Sequence, residues 1–305
     1  MVIHAWSRML RLPNLIMIIF IQLIIYAYFI HPYFLSEELA LSKFQCMLTL
    51  FTLLCIAASG YVLNNIYDID IDSLDETKRI IPNYFSLRFS WIFYSALVII
   101  GFLCAIYLSY SSGFFKSFII YPIAILSLWL YSFKLKCFPL IGNLLVSILT
   151  GSVIAIIPYV FWDNLQELRL SDYNSWAELM YRFIMLFIFA ILSNLAREII
   201  KDIEDVDSDR TFSCNSTANY FGIKKSNFIA LNVWLALLII CGSAFWFTEG
   251  LLPRLLFLLI IGIPALSIFI LITKAEEKNH FFRLSLYIKI FMILGTFYWS
   301  VMGES

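Results

Sequence analysis

An all-α, polytopic membrane fold is predicted by three observations: 62% of the 305 residues are hydrophobic, only 14% are charged, and the apolar residues gather into runs long enough to span a bilayer. With 21 basic and 21 acidic residues the net charge is zero, too few charges to coat soluble domains of this length and no basis for nucleic-acid binding. No protein partner is indicated either. The six cysteines contain no CxxC and there are three histidines, so neither a zinc site nor a disulfide framework is expected, and most of the thiols read as inert packing residues.

A spanning helix needs roughly 20 mostly apolar residues, at about 1.5 Å per residue across about 30 Å of hydrocarbon. Nine segments qualify: Leu15–Ile30, Cys46–Tyr67, Phe89–Tyr110, Phe118–Phe133, Leu140–Trp162, Tyr181–Ala196, Phe228–Phe247, Leu251–Thr273 and Leu284–Val301. The first has no small-residue cleavage site before His31, so it is expected to be a retained span. The others follow one another across short polar connections, the longest of them after the second and sixth spans.

Charge sets the expected direction. Sixteen of the 21 Lys and Arg residues fall in the N-terminal arm and the connections after spans two, four, six and eight, and five fall on the other side. Because cytoplasmic loops carry the basic excess, the N-terminus is expected in the cytoplasm. The chain reads as one domain over residues 1–305, with a possible internal repeat of 45–162 and 177–301, each half opening with a helix that ends in acids.

Those acids carry the expected chemistry. Asn64, Asp68 and Asp72 stand four apart and share a helix face at the end of span two, while Glu198, Asp202, Asp205 and Asp209 form a second stripe after span six. Carboxylates about 6 Å apart at an effective dielectric near 20 repel by roughly 3 kcal/mol, so each stripe calls for a neutralising cation. Oxygen-only ligands favour Mg2+, which typically takes one or two carboxylates plus substrate phosphates. The candidate metal ligands are Asn64, Asp68, Asp72, Asp202, Asp205 and Asp209; Asp70, Asp75, Glu76, Glu204 and Asp207 lie off the stripes and read as solvated. Lys78, Arg79, Lys134, Lys136, Arg197 and Lys201 lie on the same side and could hold phosphate oxygens, although the positive-inside bias alone would also place them there.

In this ordered set the chain resembles the UbiA superfamily of intramembrane prenyltransferases over most of its length. Asn64-Asn65-x-x-Asp68-x-x-x-Asp72 is similar to the family's first aspartate-rich motif, with Asn65 in place of the usual Asp, and Asp202-x-x-Asp205-x-x-x-Asp209 is similar to the second. Further matches are Arg11-Leu12-Pro13-Asn14, Tyr131-Ser132 with Lys136, Gly142-Asn143, Ser216-Thr217-Ala218 and Phe221-Gly222. The resemblance implies nine helices around a central cavity and Mg2+-dependent transfer of a polyprenyl group from its diphosphate to an acceptor. It implies catalytic roles for Asp68, Asp72, Asp205 and Asp209, and substrate binding by Arg11, Asn14, Lys78, Arg79, Tyr131, Lys136, Arg197 and Lys201. Tyr61, Tyr67 and Tyr131 are candidates for a chamber wall whose aromatic faces stabilise an allylic cation.

The stretch Ala196–Asp205 looks most like the branch that prenylates geranylgeranylglycerol phosphate; the alternative is the quinone branch, with 4-hydroxybenzoate or dihydroxynaphthoate as acceptor. An ion-coupled transporter is the rival outside enzymes, but the acids stand at helix ends rather than at the bilayer centre. A phosphotransferase acting on nucleotide-activated alcohols would carry a glycine-spaced aspartate signature that is absent.

Overall fold

The computed structural model describes residues 2–34, 43–72, 79–212, 214–248 and 250–301, and those residues are helical with short connections. Among them, nine helices are long and apolar enough to cross a membrane: α1 (Leu12–Ile30), α2 (Lys43–Tyr67), α3 (Leu87–Ser111), α4 (Phe115–Phe133), α5 (Ile141–Val160), α6 (Tyr173–Glu204), α7 (Ile223–Trp246), α8 (Leu251–Lys274) and α9 (Lys278–Trp299). All nine expected spans are therefore present. The sixth is far longer than its apolar run, because the polar residues on both sides of Tyr181–Ala196 continue the helix. At about 1.5 Å per residue α6 reaches about 48 Å, well beyond the hydrocarbon thickness, so its last turns leave the apolar layer carrying the second acidic stripe.

The chain forms two compact units, residues 1–134 with 153–179, and residues 135–152 with 180–305. In the first, α2 packs most extensively along α3, with small and polar residues such as Ser59 and Gly60 on its buried side. A Cβ on Gly60 would lie 2.8 Å from the end of the Leu128 side chain of α4, so a larger residue would have to push that leucine aside, and a small residue suits this helix crossing. The short helix Val2–Met9 turns into α1 through Arg11, which holds a left-handed φ of 46° before Pro13 in the first turn. Past the first motif, Ile80 and Ile81 fold back and bury against Met9, Val62 and Ile66, which returns Arg79 to the end of α2. Ser86 then caps α3 by accepting the Phe89 N–H at 3.2 Å.

The second unit is centred on Trp234, fully buried in α7, whose indole N–H donates to the Ala265 carbonyl at 2.8 Å and whose ring lies 5.3 Å from Phe291. Phe291 in turn meets Phe189 of α6 at 5.3 Å. The remaining faces of the spans carry large exposed apolar side chains, including Ile92, Ile99 and Leu103 on α3 and Leu259, Leu266 and Ile270 on α8, as lipid contact requires.

Candidate active site

Each acidic stripe is built into one unit. In the first, Asn64 is nearly buried and its side-chain amide donates to Asp68 Oδ2 at 2.5 Å, so these two expected ligands are joined. Asn65 faces the other way: its amide donates to the Met9 carbonyl at 3.0 Å and the Tyr61 carbonyl at 2.7 Å. An aspartate there would offer no donor to either carbonyl, which accounts for the departure from the family pattern. The helix turn Ile69–Asp72 follows, with Asp70 exposed. The side chain of Asp72, together with Asp75, Glu76 and Lys78, lies outside the described residues.

Basic and aromatic groups surround this stripe. The Arg11 guanidinium lies 5.5 Å from the Tyr61 ring centroid, a cation–π distance, and the Asn14 N–H bonds to the Arg11 carbonyl, tying the start of α1 to that contact. Arg79 is half-buried with its Nε unpartnered. Tyr67 packs against Phe133 at 5.9 Å and Trp91 at 6.5 Å, while Tyr131 is half-buried and Lys134 exposed at the end of α4.

In the second unit the stripe runs off the end of α6. Asp205 ends that helix and opens the short helix Val206–Thr211, which carries Asp209. Burial and the neighbouring Asp205 push the Asp209 carboxyl above its ordinary range, against the opposing pull of the Ser216 hydroxyl, Lys201 and Lys136. Lys136 comes from the connection before α5 and Lys201 from α6, so both segments bring positive charge to bear on Asp209. Arg197 pairs with Glu198 at 2.5 Å through Nη1 and leaves its buried Nε unpartnered. Asp207 is exposed and Glu204 half-buried.

Asp202 is placed differently from Asp205 and Asp209. One of its carboxylate oxygens accepts from the Asn143 amide at 3.0 Å and from the Thr217 backbone N–H at 3.1 Å. The Thr217 hydroxyl donates to Asn143 Oδ1 at 2.5 Å and accepts the Leu140 N–H at 3.0 Å. Nothing in the spacing of Asn143 and Thr217, 74 residues apart, announces this group. Beside it, Cys137 and Cys214 form a disulfide, contrary to the expectation of unpaired cysteines. The reason is tertiary: the fold brings together two segments 77 residues apart in sequence, a pairing no local spacing encodes.

The donors offered by the two stripes are carboxylate and amide oxygens, with Lys or Arg interleaved, and the nearest thiols are tied up in the disulfide. That set suits a hard divalent cation and phosphate oxygens rather than zinc. Among the described residues no three Asp, Glu, His or Cys side chains gather closely enough to cage a metal alone. Mg2+ completed by substrate phosphates needs no such cage.

Residues 23–295 match the model of the UbiA prenyltransferase family. A digeranylgeranylglyceryl phosphate synthase of Methanosphaera stadtmanae is 27% identical over 297 residues, covering 96% of each chain. The protein of the same name from Saccharolobus solfataricus is 30% identical over 241 residues, covering 79% of this chain and 78% of its own. Among solved structures, one described as digeranylgeranylglyceryl phosphate synthase in membranes superposes with a TM-score of 0.68 at 23% identity, over 99% of this chain and 98% of that one. A UbiA homologue from Archaeoglobus fulgidus bound to GPP and Mg2+ gives 0.59 at 16% identity, over 97% of this chain and all of that one. At these identities the structural likeness speaks for the fold.

Proposed function

Since this chain belongs to the UbiA prenyltransferase family, as an integral multi-pass membrane protein, we propose that it transfers a geranylgeranyl group from its diphosphate to geranylgeranylglycerol phosphate. The observation that carries the choice of acceptor is the similarity, over nearly the whole chain, to relatives named for digeranylgeranylglyceryl phosphate synthesis. The Ala196–Asp205 stretch points the same way.

In this reading Asp68 and Asp72 from one stripe and Asp205 and Asp209 from the other hold Mg2+, with Asn64 as a further oxygen donor; the A. fulgidus homologue bound to GPP and Mg2+ supports that ion. Bound there, Mg2+ would neutralise charge on the departing diphosphate. Arg79, Lys136, Arg197 and Lys201, with Lys78, hold phosphate oxygens and lower the cost of that charge further. The allylic carbon–oxygen bond breaks, the electron pair leaves with diphosphate, and the acceptor hydroxyl oxygen bonds the allylic carbon as its proton is lost. Tyr61, Tyr67 and Tyr131 line the prenyl chain, exclude water and present aromatic faces to the allylic cation. The basic excess on the side of these groups sets the active site toward the cytoplasm.

The test is product formation by the purified protein in lipid nanodiscs with radiolabelled geranylgeranyl diphosphate, Mg2+ and a panel of acceptors. The expected result is diphosphate release matched by a labelled diether phosphate. Labelled prenyl-hydroxybenzoate or prenyl-dihydroxynaphthoate in its place would move the enzyme to the quinone branch. No prenyl transfer to any acceptor would end the reading.

A further inference from the structure

Asp202 belongs by sequence to the metal-binding stripe, yet its surroundings are those of a joint. The oxygen that accepts from Asn143 and from the Thr217 N–H is a single Oδ2. Asn143 is nearly buried and uses both ends of its amide, one toward Asp202 and one toward the Thr217 hydroxyl. Thr217 is fully buried, and its hydroxyl, N–H and carbonyl are all engaged, the last by Ser226 at 3.1 Å.

The joint fixes a tightly folded loop. Leu140, whose N–H reaches Thr217, holds a φ of 61°, a left-handed conformation that side-chain-bearing residues rarely adopt and that persists where surrounding contacts over-determine it. Two residues on, a Cβ on Gly142 would meet the Leu135 carbonyl oxygen at 2.5 Å, so the loop doubles back onto the segment that carries Lys136. The disulfide between Cys137 and Cys214 joins the same two segments of chain. Asp202 therefore sits where α6, the Lys136 loop and the segment after the second motif are held together.

We propose that Asp202 is a positioning residue: through Asn143 and Thr217 its carboxylate fastens the Lys136 loop against the second acidic motif, and it does not ligate the metal. This rests on the prenyl-transfer reading above. It divides the second motif into two functions, Asp205 and Asp209 toward the ion and Asp202 toward the protein. A polar network of this kind, in which Asn143 and Thr217 are buried and Asp202 half-buried, rigidifies the groups it joins, and small displacements of a phosphate-binding cation are costly to turnover.

The discriminating variant is Asp202→Asn, because an amide oxygen accepts the same two hydrogen bonds while the group loses its charge and its value as a metal ligand. The prediction is kcat within about threefold of the parent and an unchanged Mg2+ half-saturation for Asp202→Asn, against a fall in kcat of about tenfold or more for Asp202→Ala and Asn143→Leu. Asp205→Asn is the control, expected to lose activity and to demand more Mg2+. Activities are referred to folded protein, measured by monodispersity and thermal melting in the same nanodiscs.

If Asp202→Asn falls as far as Asp205→Asn and needs more Mg2+, Asp202 is a ligand and the proposal is overturned while the prenyl-transfer reading stands. If Asp202→Ala melts earlier but turns over normally per folded molecule, the joint serves stability alone and the proposal is equally overturned. Should Asp202→Ala fail to fold, Asp202→Asn still decides between positioning and ligation. Full activity in Asp205→Asn would instead remove the metal reading, and the contrast between the two Asp202 variants would still decide the role of Asp202.

Discussion

The most vulnerable point of the first half-site is Asn65, because restoring the family's usual residue there should harm the protein. The Asn65 side chain is 8% exposed and gives its amide hydrogens to two backbone carbonyls, those of Met9 and Tyr61. The carboxylate introduced by Asn65→Asp would set an acceptor against two acceptors, and would have to take up a proton or swing away. Losing two hydrogen bonds, each with a net value of about 0.5–1.5 kcal/mol, removes about 1–3 kcal/mol. Desolvating a carboxylate with no donor adds to that, so Asn65→Asp is expected to cost about 2–4 kcal/mol. The Tyr61 carbonyl keeps its helical partner, so the damage falls on the docking of the Val2–Met9 helix against α2. The assay is reversible unfolding in mixed micelles of increasing denaturing detergent, with the Mg2+ half-saturation of activity measured beside it. Reduced stability with an unchanged Mg2+ requirement fits the geometry. Unchanged stability with tighter Mg2+ binding would show that position 65 faces the ion, and the placement of the first motif would be wrong.

Further outcomes follow from the same geometry. Asp68→Ala and Asp205→Ala should each lower kcat by well over about tenfold in the nanodisc assay, since each removes a proposed metal ligand. Lys136→Gln should raise KM for the prenyl diphosphate by about tenfold, with a smaller effect on KM for the acceptor, read from initial rates with each substrate varied. The raised Asp209 carboxyl gives a pH signature: ionising it costs the metal-free protein stability as pH rises through that raised value, whereas Mg2+ requires the ionised form. Stabilisation by Mg2+ in thermal melts should therefore grow as pH rises and fade as pH falls, and Asp209→Asn should flatten the trend. Cys137→Ser should melt earlier but keep kcat within about threefold, because the Asn143–Thr217–Asp202 bonds join the same two segments.

Much of this architecture is legible along the chain because it is local. A membrane span announces itself by hydropathy over about 20 residues, and all nine expected spans are helices here. The acid clusters are legible as spacing, but a shared face assumes an unbroken helix, and the chain leaves the helix at Asp68 and again at Asp205. Helix ends are not legible, and α6 shows why: backbone hydrogen bonding continues past the apolar run at both ends, so hydropathy reports the bilayer rather than the helix. The pairing of Asn143 with Thr217 and the Cys137–Cys214 bridge lie beyond reach for another reason, although Asn143 and Thr217 both fall in stretches that resemble the family. Their partners are more than 70 residues away, and no periodicity relates them. Asp202 falls between the two cases, in step with its stripe by spacing and bound elsewhere by tertiary structure. The Asn65 departure, unexplained as sequence, becomes a donor requirement once Met9 lies beside it.

The central proposal, which rests on the sequence motifs, is that both acidic motifs serve one diphosphate. It is tested most directly by a cryo-EM map of the protein in nanodiscs with Mg2+ and geranylgeranyl thiodiphosphate, whose sulfur at the scissile position resists cleavage. The account predicts metal density bridging the diphosphate to Asp68 and Asp72 on one side and to Asp205 and Asp209 on the other. Density for the head group at only one motif, or the two motifs on opposite leaflets, would contradict it.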